Sequence, residues 1–483
     1  MYKICTFLIF SLLAFSLMQG QVMVHTANGG YLNTKLHQEH YSQESQDQLN
    51  AVIRKAFEEA DEVAEGQKSV PSFGSPIARS SNSFILNPQY FYSVSAFYDH
   101  NRNDNAYHDL NCESLSYDSH RGTDFFSFPF YWYQYENELM DVQAAEEGVI
   151  ILKVTEADNC YAEGSYGVHM AIQHGNYISI YAHLKEGTLT SKGENDRVVK
   201  GEKLGKVGFT GNSASGPHLH FQINTNPDID ANWTVDPYLT TCQSSNESLD
   251  LMDRKQEMEY KHTELLSLTT HKREPVWGNS CDDSYLENPF FGDQYQIGDT
   301  VVIIAAVRDF SNNQELSISL TDSEGIIKQQ WRLDMEDVTG MDPSPRHVTA
   351  AYSKLYYVIK ETDATGQWSI GAAIREGSEL VGTSLNKTCT VEPFTSSTER
   401  EATNEITIFP NPCYSSLIVQ CSPATKIGQV EMMDLSGYNL STSVIQNGQG
   451  ALEINTATLL PGVYLLRLTT EEGQQIIRRV LKQ

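Results

Sequence analysis

Three short motifs between residues 120 and 221 hold the side chains best suited to metal chemistry. They are His120-Arg-Gly-Thr-Asp124, Tyr181-Ala-His183-Leu184 and Gly216-Pro-His218-Leu-His220-Phe221. A catalytic zinc takes three histidine or carboxylate ligands and leaves its fourth position to water, and His120, Asp124 and His220 can supply that set. Hydrolysis of an amide also needs removal of the water proton and stabilisation of an oxyanion. His183 and His218 are the candidates for those two tasks.

A β-strand is the element that would position the pair His218 and His220. On a strand, residues i and i+2 point to the same face about 6.6 Å apart, at roughly 3.3 Å per residue, whereas on a helix they do not share a face. One imidazole can therefore hold the metal while the other stands over its water. Taken alone, such a pair is more often structural than metal-binding, so the prediction depends on all three motifs together.

A second strand and a glycine are predicted to place the remaining side chains. In the run 178–183, apolar residues alternate with polar ones, which predicts that His183 projects from a polar face into a cleft. Gly122 lies between His120 and Asp124 and would allow the tight local bend that lets these two side chains converge.

The motifs and the glycine-containing sequence between them resemble the lysostaphin-type, or β-lytic, zinc metallopeptidases. The matches lie between residues 94 and 239 and are most specific in Tyr181-Ala-His-Leu184, Val199-Lys-Gly-Glu-Lys-Leu-Gly-Lys-Val-Gly208, Thr210-Gly-Asn212 and Gly216-Pro-His-Leu-His-Phe221. The resemblance implies a duplicated-hybrid-motif β fold in which one zinc ion is held by His120, Asp124 and His220. It also implies that His183 and His218 are the catalytic residues.

The chain departs from the family pattern at two places near these motifs. Residues 126–141 form a longer and more aromatic link than is usual, and Gln222 stands where an acid is commoner. The aromatic residues of the stretch 125–135 are predicted to be core or the wall of a substrate groove. The remaining histidines of this region are predicted to be structural or at the surface: His100, His108, His169 and His174.

The resemblance implies a secreted zinc metalloendopeptidase, of the peptidoglycan hydrolase type, that cuts peptide bonds in peptidoglycan cross-links. Two alternatives remain open. The same zinc chemistry could act on Gly-rich extracellular proteins, or the chain could be a non-catalytic binding or regulatory protein that keeps the peptidase fold. All five family positions are filled, which argues against the non-catalytic alternative.

The chain is strongly acidic and begins like an exported protein. It has 62 Asp and Glu against 34 Lys and Arg, a formal net charge of −28. This charge argues against nucleic acids and anionic membrane surfaces as partners, because both need clustered basic residues. Residues 1–20 join a basic start to a short apolar stretch and predict a cleaved signal peptide. No other apolar run approaches membrane-spanning length, so the mature protein is predicted to be soluble and without a transmembrane segment.

Strand-like runs separated by turn signals predict an all-β protein built from several domains. Residues 21–75 are expected to be an N-terminal segment or propeptide that contains one amphipathic helix. The zinc metallopeptidase domain is predicted at 76–243, a linker at 244–280, an Ig-like β-sandwich domain at 281–391 and a second linker at 392–404. The middle sandwich has no ordered cluster of His, Asp or Glu, so spacing or binding is its expected task.

Residues 405–483 resemble the C-terminal sorting domain of the type IX secretion system. The ordered matches are Phe409-Pro-Asn-Pro412, Asp434-Leu-Ser-Gly437, Pro461-Gly-Val-Tyr464 and the basic last strand, Arg478-Arg-Val-Leu-Lys482. The resemblance implies a small β-sandwich and the type IX secretion machinery as a partner. It also implies export across the inner and outer membranes to the cell surface or the medium.

The cysteines are predicted to form disulfides. Loss of the signal peptide removes Cys5 from the eight cysteines, and the remainder can be oxidised in an exported protein. None lies in a Cys-x-x-Cys zinc pattern. The predicted pairs are Cys112 with Cys160, which flank the His120 motif, and Cys281 with Cys389, which lie at the two edges of the middle sandwich.

Overall fold

The structure is a computed structural model of the 483-residue chain. It describes residues 22–25, 29–33, 42–61, 70–101, 106–158, 165–213, 216–225, 234–239, 250–253, 262–278, 287–339, 347–393, 407–409, 413–420, 426–433, 439–440, 444–447, 451–459, 462–470 and 475–482. The chain divides into two compact units, residues 1–393 and 394–483. The expected signal peptide lies outside the described residues.

The first unit opens with elements of the N-terminal segment and continues with the part that carries the three motifs. The N-terminal elements are β1 (Val22–His25), β2 (Gly29–Asn33) and α1 (Gln43–Asp61). The motif-bearing part has β3 (Ile77–Arg79), β4 (Ser93–Ala96), β5 (Thr123–Phe126), α2 (Tyr131–Glu136), β6 (Met140–Gln143), β7 (Gly148–Val154), β8 (His169–His174), β9 (Tyr177–Ala182), β10 (Arg197–Val198), β11 (Lys203–Lys206), β12 (Leu219–Thr225) and β13 (Thr234–Val235).

Two antiparallel sheets organise the motif-bearing part. The larger has the order β10-β7-β8-β9-β12-β5-β4, with β13 paired to β12, and the smaller has the order β11-β6-β3. Strand β12 is buried on both faces. Phe221 pairs with Tyr181 on the face that lies in the main core, and His220 pairs with Ala182 on the opposite face. The strand alternation predicted for the motif His218-Leu-His220 is therefore continued by β12.

Helix α1 covers part of the sheet face that carries His220. Leu49, Ile53 and Phe57 recur at four-residue spacing, which gives the helix one apolar stripe. The stripe packs on buried residues of β8 and β9, namely Ala171, Ile178, Ile180 and Ala182. Gln173 of β8 also donates its side-chain amide to the carbonyl of Ala56 at 3.3 Å. The amphipathic helix expected in the N-terminal segment is thus present and packs on the larger sheet of the motif-bearing part.

The middle part of the first unit is a β-sandwich. Its elements are β14 (Glu264–His271), β15 (Gln294–Gln296), β16 (Thr300–Ser311), β17 (Glu315–Thr321), β18 (Ile327–Leu333), α3 (Met335–Thr339), β19 (His347–Val358), β20 (Gly366–Glu376) and β21 (Glu379–Glu392). One sheet has the order β1-β2-β19-β16-β14 and the other β15-β21-β20-β17-β18. Side chains from both sheets form one core, including Ile303 and Trp368.

The sandwich recruits strands from outside the range 281–391. Residues 264–271, which we placed in a linker, form the fully buried strand β14, and it pairs with β16. The hairpin β1–β2 adds to the opposite edge, where Tyr31 pairs with Ala351 of β19. Both additions depend on pairing between residues far apart in sequence, which local periodicity does not report.

The aromatic stretch after β5 packs between the motif-bearing part and the sandwich. Five of its residues are buried in one cluster with residues of β14, β16 and β19, and these five are Phe126, Phe128, Phe130, Tyr131 and Trp132. Phe130 stacks on Trp277 with ring centroids 4.4 Å apart, and Trp277 stacks on Tyr352 at 4.5 Å. Most of the aromatic insertion is therefore core, as predicted, and it packs the sandwich against the motif-bearing part.

The predicted disulfide between Cys281 and Cys389 is wrong. Cys389 is a free thiol, and its position on β21, opposite Trp368, places it inside the sandwich core with 2% of its surface exposed. Cys112 is disulfide-bonded; Cys160, its predicted partner, lies outside the described residues, as does Cys281. The pairing of Cys112 with Cys160 stays a prediction.

The second unit is a small β-sandwich. Its strands are β22 (Thr407–Phe409), β23 (Ser416–Gln420), β24 (Ile427–Met433), β25 (Asn439–Leu440), β26 (Val444–Asn447), β27 (Ala451–Asn455), β28 (Gly462–Thr470) and β29 (Gln475–Lys482). They form sheets of order β22-β23-β27-β26 and β25-β24-β28-β29, whose inner side chains share a core that includes Leu417 and Leu466. The all-β prediction is confirmed. No helix within the described ranges is long and apolar enough to cross a membrane.

Candidate metal and catalytic site

Two neighbouring strands bring the three expected ligands together. Asp124 of β5 and His220 of β12 are direct partners in the antiparallel pairing of these strands, and His120 lies just before β5. Asp124 Oδ1 is 3.1 Å from His120 Nε2 and 3.0 Å from His220 Nδ1, and these two nitrogens are 3.2 Å apart. Each of the three residues has at most 1% of its surface exposed.

The chemistry of this donor set fits a zinc ion. Burial on its own raises the pKa of the Asp124 carboxyl, but the charge of His120 and hydrogen bonds from His120 and His220 outweigh it and hold that pKa well below its usual range. The site thus offers one ionised carboxylate and two imidazoles, a set that zinc accepts. Their ligand atoms lie within 4.8 Å of one another, and no other such group occurs among the residues that the structure describes.

Hydrogen bonds to His120 and His220 fix which ring nitrogen of each expected ligand faces the other two. His120 Nδ1 lies 2.7 Å from the carbonyl oxygen of Phe97. Because a carbonyl only accepts, Nδ1 keeps its proton, and Nε2 becomes the ligand atom when the ring gives up its other proton to bind a cation. His220 shows the opposite arrangement, since its Nε2 lies 3.3 Å from Gln222 Oε1 and its Nδ1 faces Asp124.

Gly122 is required by a close approach and not by an unusual backbone angle. A Cβ at this position would lie 2.7 Å from both Cε1 and Nε2 of His220, and 2.7 Å from the carbonyl oxygen of Phe221. Gly122 does not have a left-handed φ. The expected local bend is therefore not the reason for the glycine, which instead lets β5 approach the His220 ring.

The two expected catalytic histidines face each other beside the ligands. The rings of His183 and His218 have centroids 4.8 Å apart, and the His183 ring is 6.1 Å from that of His220. His183 Nδ1 lies 2.7 Å from the carbonyl oxygen of Thr210, and His218 Nδ1 lies 2.9 Å from that of Gly216. Each Nδ1 therefore donates to the main chain, and each Nε2 is the basic nitrogen.

Gly208 allows the segments that carry these two histidines to meet. It pairs with His218 in an isolated bridge, and its carbonyl accepts the His218 N–H at 3.0 Å. A Cβ on Gly208 would lie 2.4 Å from backbone atoms of Leu184 and Lys185 and 2.6 Å from the His183 carbonyl oxygen. Only glycine fits where the chain after His183 crosses this close.

His183 reaches the site by a route that the sequence did not predict. The polar face of β9, with Ser179 and Tyr181, is turned into the buried interior, where Tyr181 belongs to the main core. His183 follows the strand with a left-handed φ of 61°. This breaks the alternation and turns the His183 ring towards the other face of the sheet. There it lies beside His220, which is on the same face as Ala182.

Three further residues complete the site, and sequence reasoning assigned them no part in it. Tyr117 donates its hydroxyl to Asp124 Oδ2 at 3.4 Å, and its ring stacks on His120 with centroids 4.3 Å apart. The Tyr166 carbonyl accepts the N–H of His183 at 3.1 Å. Gln222 contacts His220 as described. Only Gln222 had a usable signal, because it lies two residues after a ligand on a strand.

Two of the remaining histidines of the motif-bearing part, His100 and His174, are buried and form structural contacts. His100 Nε2 lies 2.8 Å from Asp236 Oδ2, and both side chains are buried. His174 Nδ1 donates to the carbonyl oxygen of Glu147 at 2.6 Å, and its Nε2 lies 2.7 Å from Ser179 Oγ. Burial lowers the pKa of His174 to about 4, so the ring is neutral at neutral pH.

Part of the aromatic insertion also borders the His218 motif. Gly216 has a left-handed φ of 104°, and a Cβ there would lie 2.9 Å from the Tyr131 ring and 3.7 Å from that of Trp132. These two side chains of α2 therefore stand next to the turn that leads into His218. Tyr131 and Trp132 are therefore buried core residues that also lie beside the His218 motif, and a role in the wall of a substrate groove stays a prediction.

Comparison with known proteins agrees with this geometry. Residues 119–237 match peptidase family M23, and residues 407–483 match the secretion system C-terminal sorting domain. The chain contains an M23 peptidase domain. The lysostaphin-type resemblance and the sorting domain predicted from the sequence are confirmed. Members of this family are generally metal-dependent, and the sorting domain implies the type IX secretion system as a partner and a cell-surface or extracellular location.

Several solved structures are similar to parts of the chain. Lysostaphin from Staphylococcus simulans, an antimicrobial peptidase, is 15% identical over 58% of this chain and 85% of its own, with a TM-score of 0.21. Two crystal forms of Helicobacter pylori Csd3 are 17% and 20% identical, with TM-scores of 0.20. They align with 32% and 34% of this chain, which spans only 30% and 37% of theirs. No curated protein matches the sequence.

Proposed function

We propose that the chain is an exported zinc metalloendopeptidase that hydrolyses peptide bonds in peptidoglycan cross-links. The observation that carries the proposal is the buried group of His120, Asp124 and His220 with His183 and His218 beside it. All five side chains are in place, and each histidine has one ring nitrogen held by a hydrogen bond. A site that only stabilised the fold would not need two further histidines next to a complete ligand set.

The chemistry divides between a bound metal and the two neighbouring histidines. When bound, zinc supplies a water whose pKa is lowered towards about 7 and an electrophilic centre for the scissile carbonyl. The rings of His183 and His218 are 4.8 Å apart, and each donates its Nδ1–H to the main chain, so Nε2 is the nitrogen that can accept or carry a further proton. One Nε2 takes the water proton, and the other ring, when protonated, donates a hydrogen bond to the developing oxyanion.

A direct measurement tests the metal and the activity together. The full chain should contain one zinc per molecule, and its cleavage of purified sacculi should stop with a chelator and return with zinc. The non-catalytic alternative predicts no chelator-sensitive cleavage at any metal content. A zinc-loaded protein without turnover on any peptide substrate would refute the enzymatic proposal.

The choice of peptidoglycan rests on the family resemblance and on export, and it has one competitor. The same chemistry could cleave Gly-rich extracellular proteins, which an enzyme at the cell surface would also meet. Digestion of sacculi, compared with digestion of a panel of Gly-rich proteins at equal enzyme concentration, separates the two. Mass spectrometry of the peptides released from sacculi then identifies the scissile bond.

We also propose that residues 21–75 are a propeptide that limits access to the site. Helix α1 lies on the sheet face that carries His220, and its Phe57 shares a cluster with Tyr166 and Ala182 beside the catalytic residues. His183 is fully buried and His218 is 4% exposed. A polymeric substrate needs an open approach to these rings, so a chain that keeps the helix should turn over more slowly than one without it.

A further inference from the structure

Gln222 occupies the position after the His-Leu-His-Phe motif at which an acid is commoner in the family. It lies on β12 two residues beyond His220, so both side chains point to the same face of the sheet. Gln222 pairs with Ile180 of β9 and is 2% exposed. A buried amide must have its hydrogen bonds satisfied, and here all the partners belong to the neighbourhood of the metal site.

The amide of Gln222 joins a ligand to two other buried side chains. Its Oε1 faces His220 Nε2 at 3.3 Å, and its Nε2 donates to Asn224 Oδ1 at 2.7 Å. The Tyr166 hydroxyl is also hydrogen bonded to the Gln222 side chain, and the Tyr166 ring lies 6.2 Å from that of His220. Because one of its N–H groups donates to Asn224 Oδ1, the amide presents its oxygen to His220.

The orientation of this amide decides which nitrogen of His220 can hold a metal. Nδ1 of His220 is the nitrogen that faces Asp124 and His120, so it must be without a proton when it binds a cation. The ring proton is then on Nε2, where it needs an acceptor. Gln222 Oε1 is that acceptor. A rotated amide would present N–H groups to Nε2 and favour the wrong tautomer.

On this geometry, and resting on the zinc metallopeptidase function proposed above, we propose that Gln222 is a positioning residue for the metal. It fixes the Nε2–H tautomer of His220 and so presents Nδ1 as a ligand. It does this with a neutral acceptor, so that Asp124 is the one carboxylate among the described residues that contacts His120 and His220. An acid at position 222 would polarise the His220 ring more strongly, because hydrogen bonds to an ionised acceptor are roughly twice as strong.

Zinc affinity of the full chain, measured by competition with a chelator, tests the proposal. Gln222→Leu removes the acceptor and should weaken zinc binding by about 10- to 100-fold, the usual effect of losing such a partner. Gln222→Glu restores an acceptor and should bind zinc at least as tightly as the unaltered chain. If Gln222 had only a structural role, the substitutions would change the melting temperature of the metal-free protein. They would not weaken zinc binding in Gln222→Leu while preserving it in Gln222→Glu.

A matched control removes a buried glutamine elsewhere. Gln314 of the middle sandwich is 8% exposed, donates to Thr263 Oγ1 at 3.1 Å and accepts the N–H of Ser311 at 2.9 Å. Gln314→Leu should leave zinc affinity unchanged. Affinity of Gln222→Leu within twofold of the unaltered chain would overturn the proposal. If that variant does not fold, Gln222→Glu decides, since a tenfold loss of affinity there would also overturn it.

The outcomes for Gln222 and for the proposed function are distinguishable. A chain that takes up no zinc even when unaltered refutes the metallopeptidase proposal, and with it the inference about Gln222. A chain that takes up zinc and cleaves its substrate, but is indifferent to the residue at position 222, refutes only the inference.

Discussion

Replacement of Gly122 by alanine tests the close packing of the two ligand strands. The added Cβ would lie 2.7 Å from His220 Cε1 and Nε2, whereas ordinary contact begins at 3.4 Å, so the ring must move by about 0.7 Å. Metal–ligand distances hold only within about 0.2 Å. The strand cannot simply retreat, because Phe221 O lies equally close to the new atom and Phe221 pairs with Thr123 of β5.

The magnitude follows from the strain that metal binding would have to overcome. Overpacking of this kind costs about 1–3 kcal/mol, which corresponds to roughly a 5- to 150-fold loss in affinity at 1.4 kcal/mol per tenfold. We expect Gly122→Ala to lose zinc affinity within that range and to lose turnover with it. Chelator competition gives the affinity, release of soluble peptides from sacculi gives turnover, and melting of the metal-free protein reports whether the fold survives.

Gly193→Ala is the matched control. A Cβ at Gly193 meets no atom within 4 Å, and its φ is not left-handed, so this variant should bind zinc and turn over substrate normally. If Gly122→Ala behaved like Gly193→Ala in both assays, the close approach of β5 to His220 could not be what demands glycine. The same result would remove the structural basis for the ligand geometry described above.

Four further outcomes are expected. His218→Ala should retain zinc and lose about 10²- to 10⁴-fold in turnover, the usual contribution of a general acid–base group; unchanged turnover would contradict its catalytic assignment. Proteolytic or genetic removal of residues 21–75 should raise the initial rate on sacculi, and a protein that is equally active with and without them would show that α1 does not restrict access. Burial lowers the pKa of His174 to about 4, below the 6.5 of the free side chain. Between pH 4 and pH 6.5 the unfolded chain therefore binds more protons than the folded chain. The stability due to neutral His174 is therefore complete above pH 6.5 and falls on acidification towards pH 4, so His174→Gln should flatten the decline in melting temperature across this window. Cys389 is buried with its thiol pKa raised to about 11, so iodoacetamide at pH 8 should label it only in denaturant; rapid labelling of the folded protein would place it outside the core.

The convergence of the three expected ligands could be predicted from the sequence, because it depends on the alternation and pairing of β-strands. The expected ligands at 120, 124 and 220 meet through one antiparallel pair in which Asp124 lies directly opposite His220. Their residue types restrict the chemistry, and their spacing restricts the elements that hold them. The same reasoning failed for His183, since a single left-handed residue after β9 reverses the direction that alternation predicts.

Long-range pairing accounts for the parts of the fold that the sequence did not reveal. Strand β14 was taken for a linker because its neighbours in sequence are polar, yet its partner β16 buries it completely. The error over Cys389 has a similar origin. Its place near the edge of the sandwich in sequence suggested a clamp, but its inward orientation on β21 is set by the pairing with β20. Neither fact has a local signal.

Strand β2 also hides the edge of a sheet. It pairs with β19 at residues 351–353, and without it β19 would be the last strand, with a row of unoccupied backbone donors and acceptors. Such edges recruit other strands and favour self-association. Removal of residues 21–75 would therefore have two effects. It would take α1 off the sheet face that carries His220, and it would leave β19 as an exposed edge strand through which the sandwich could self-associate.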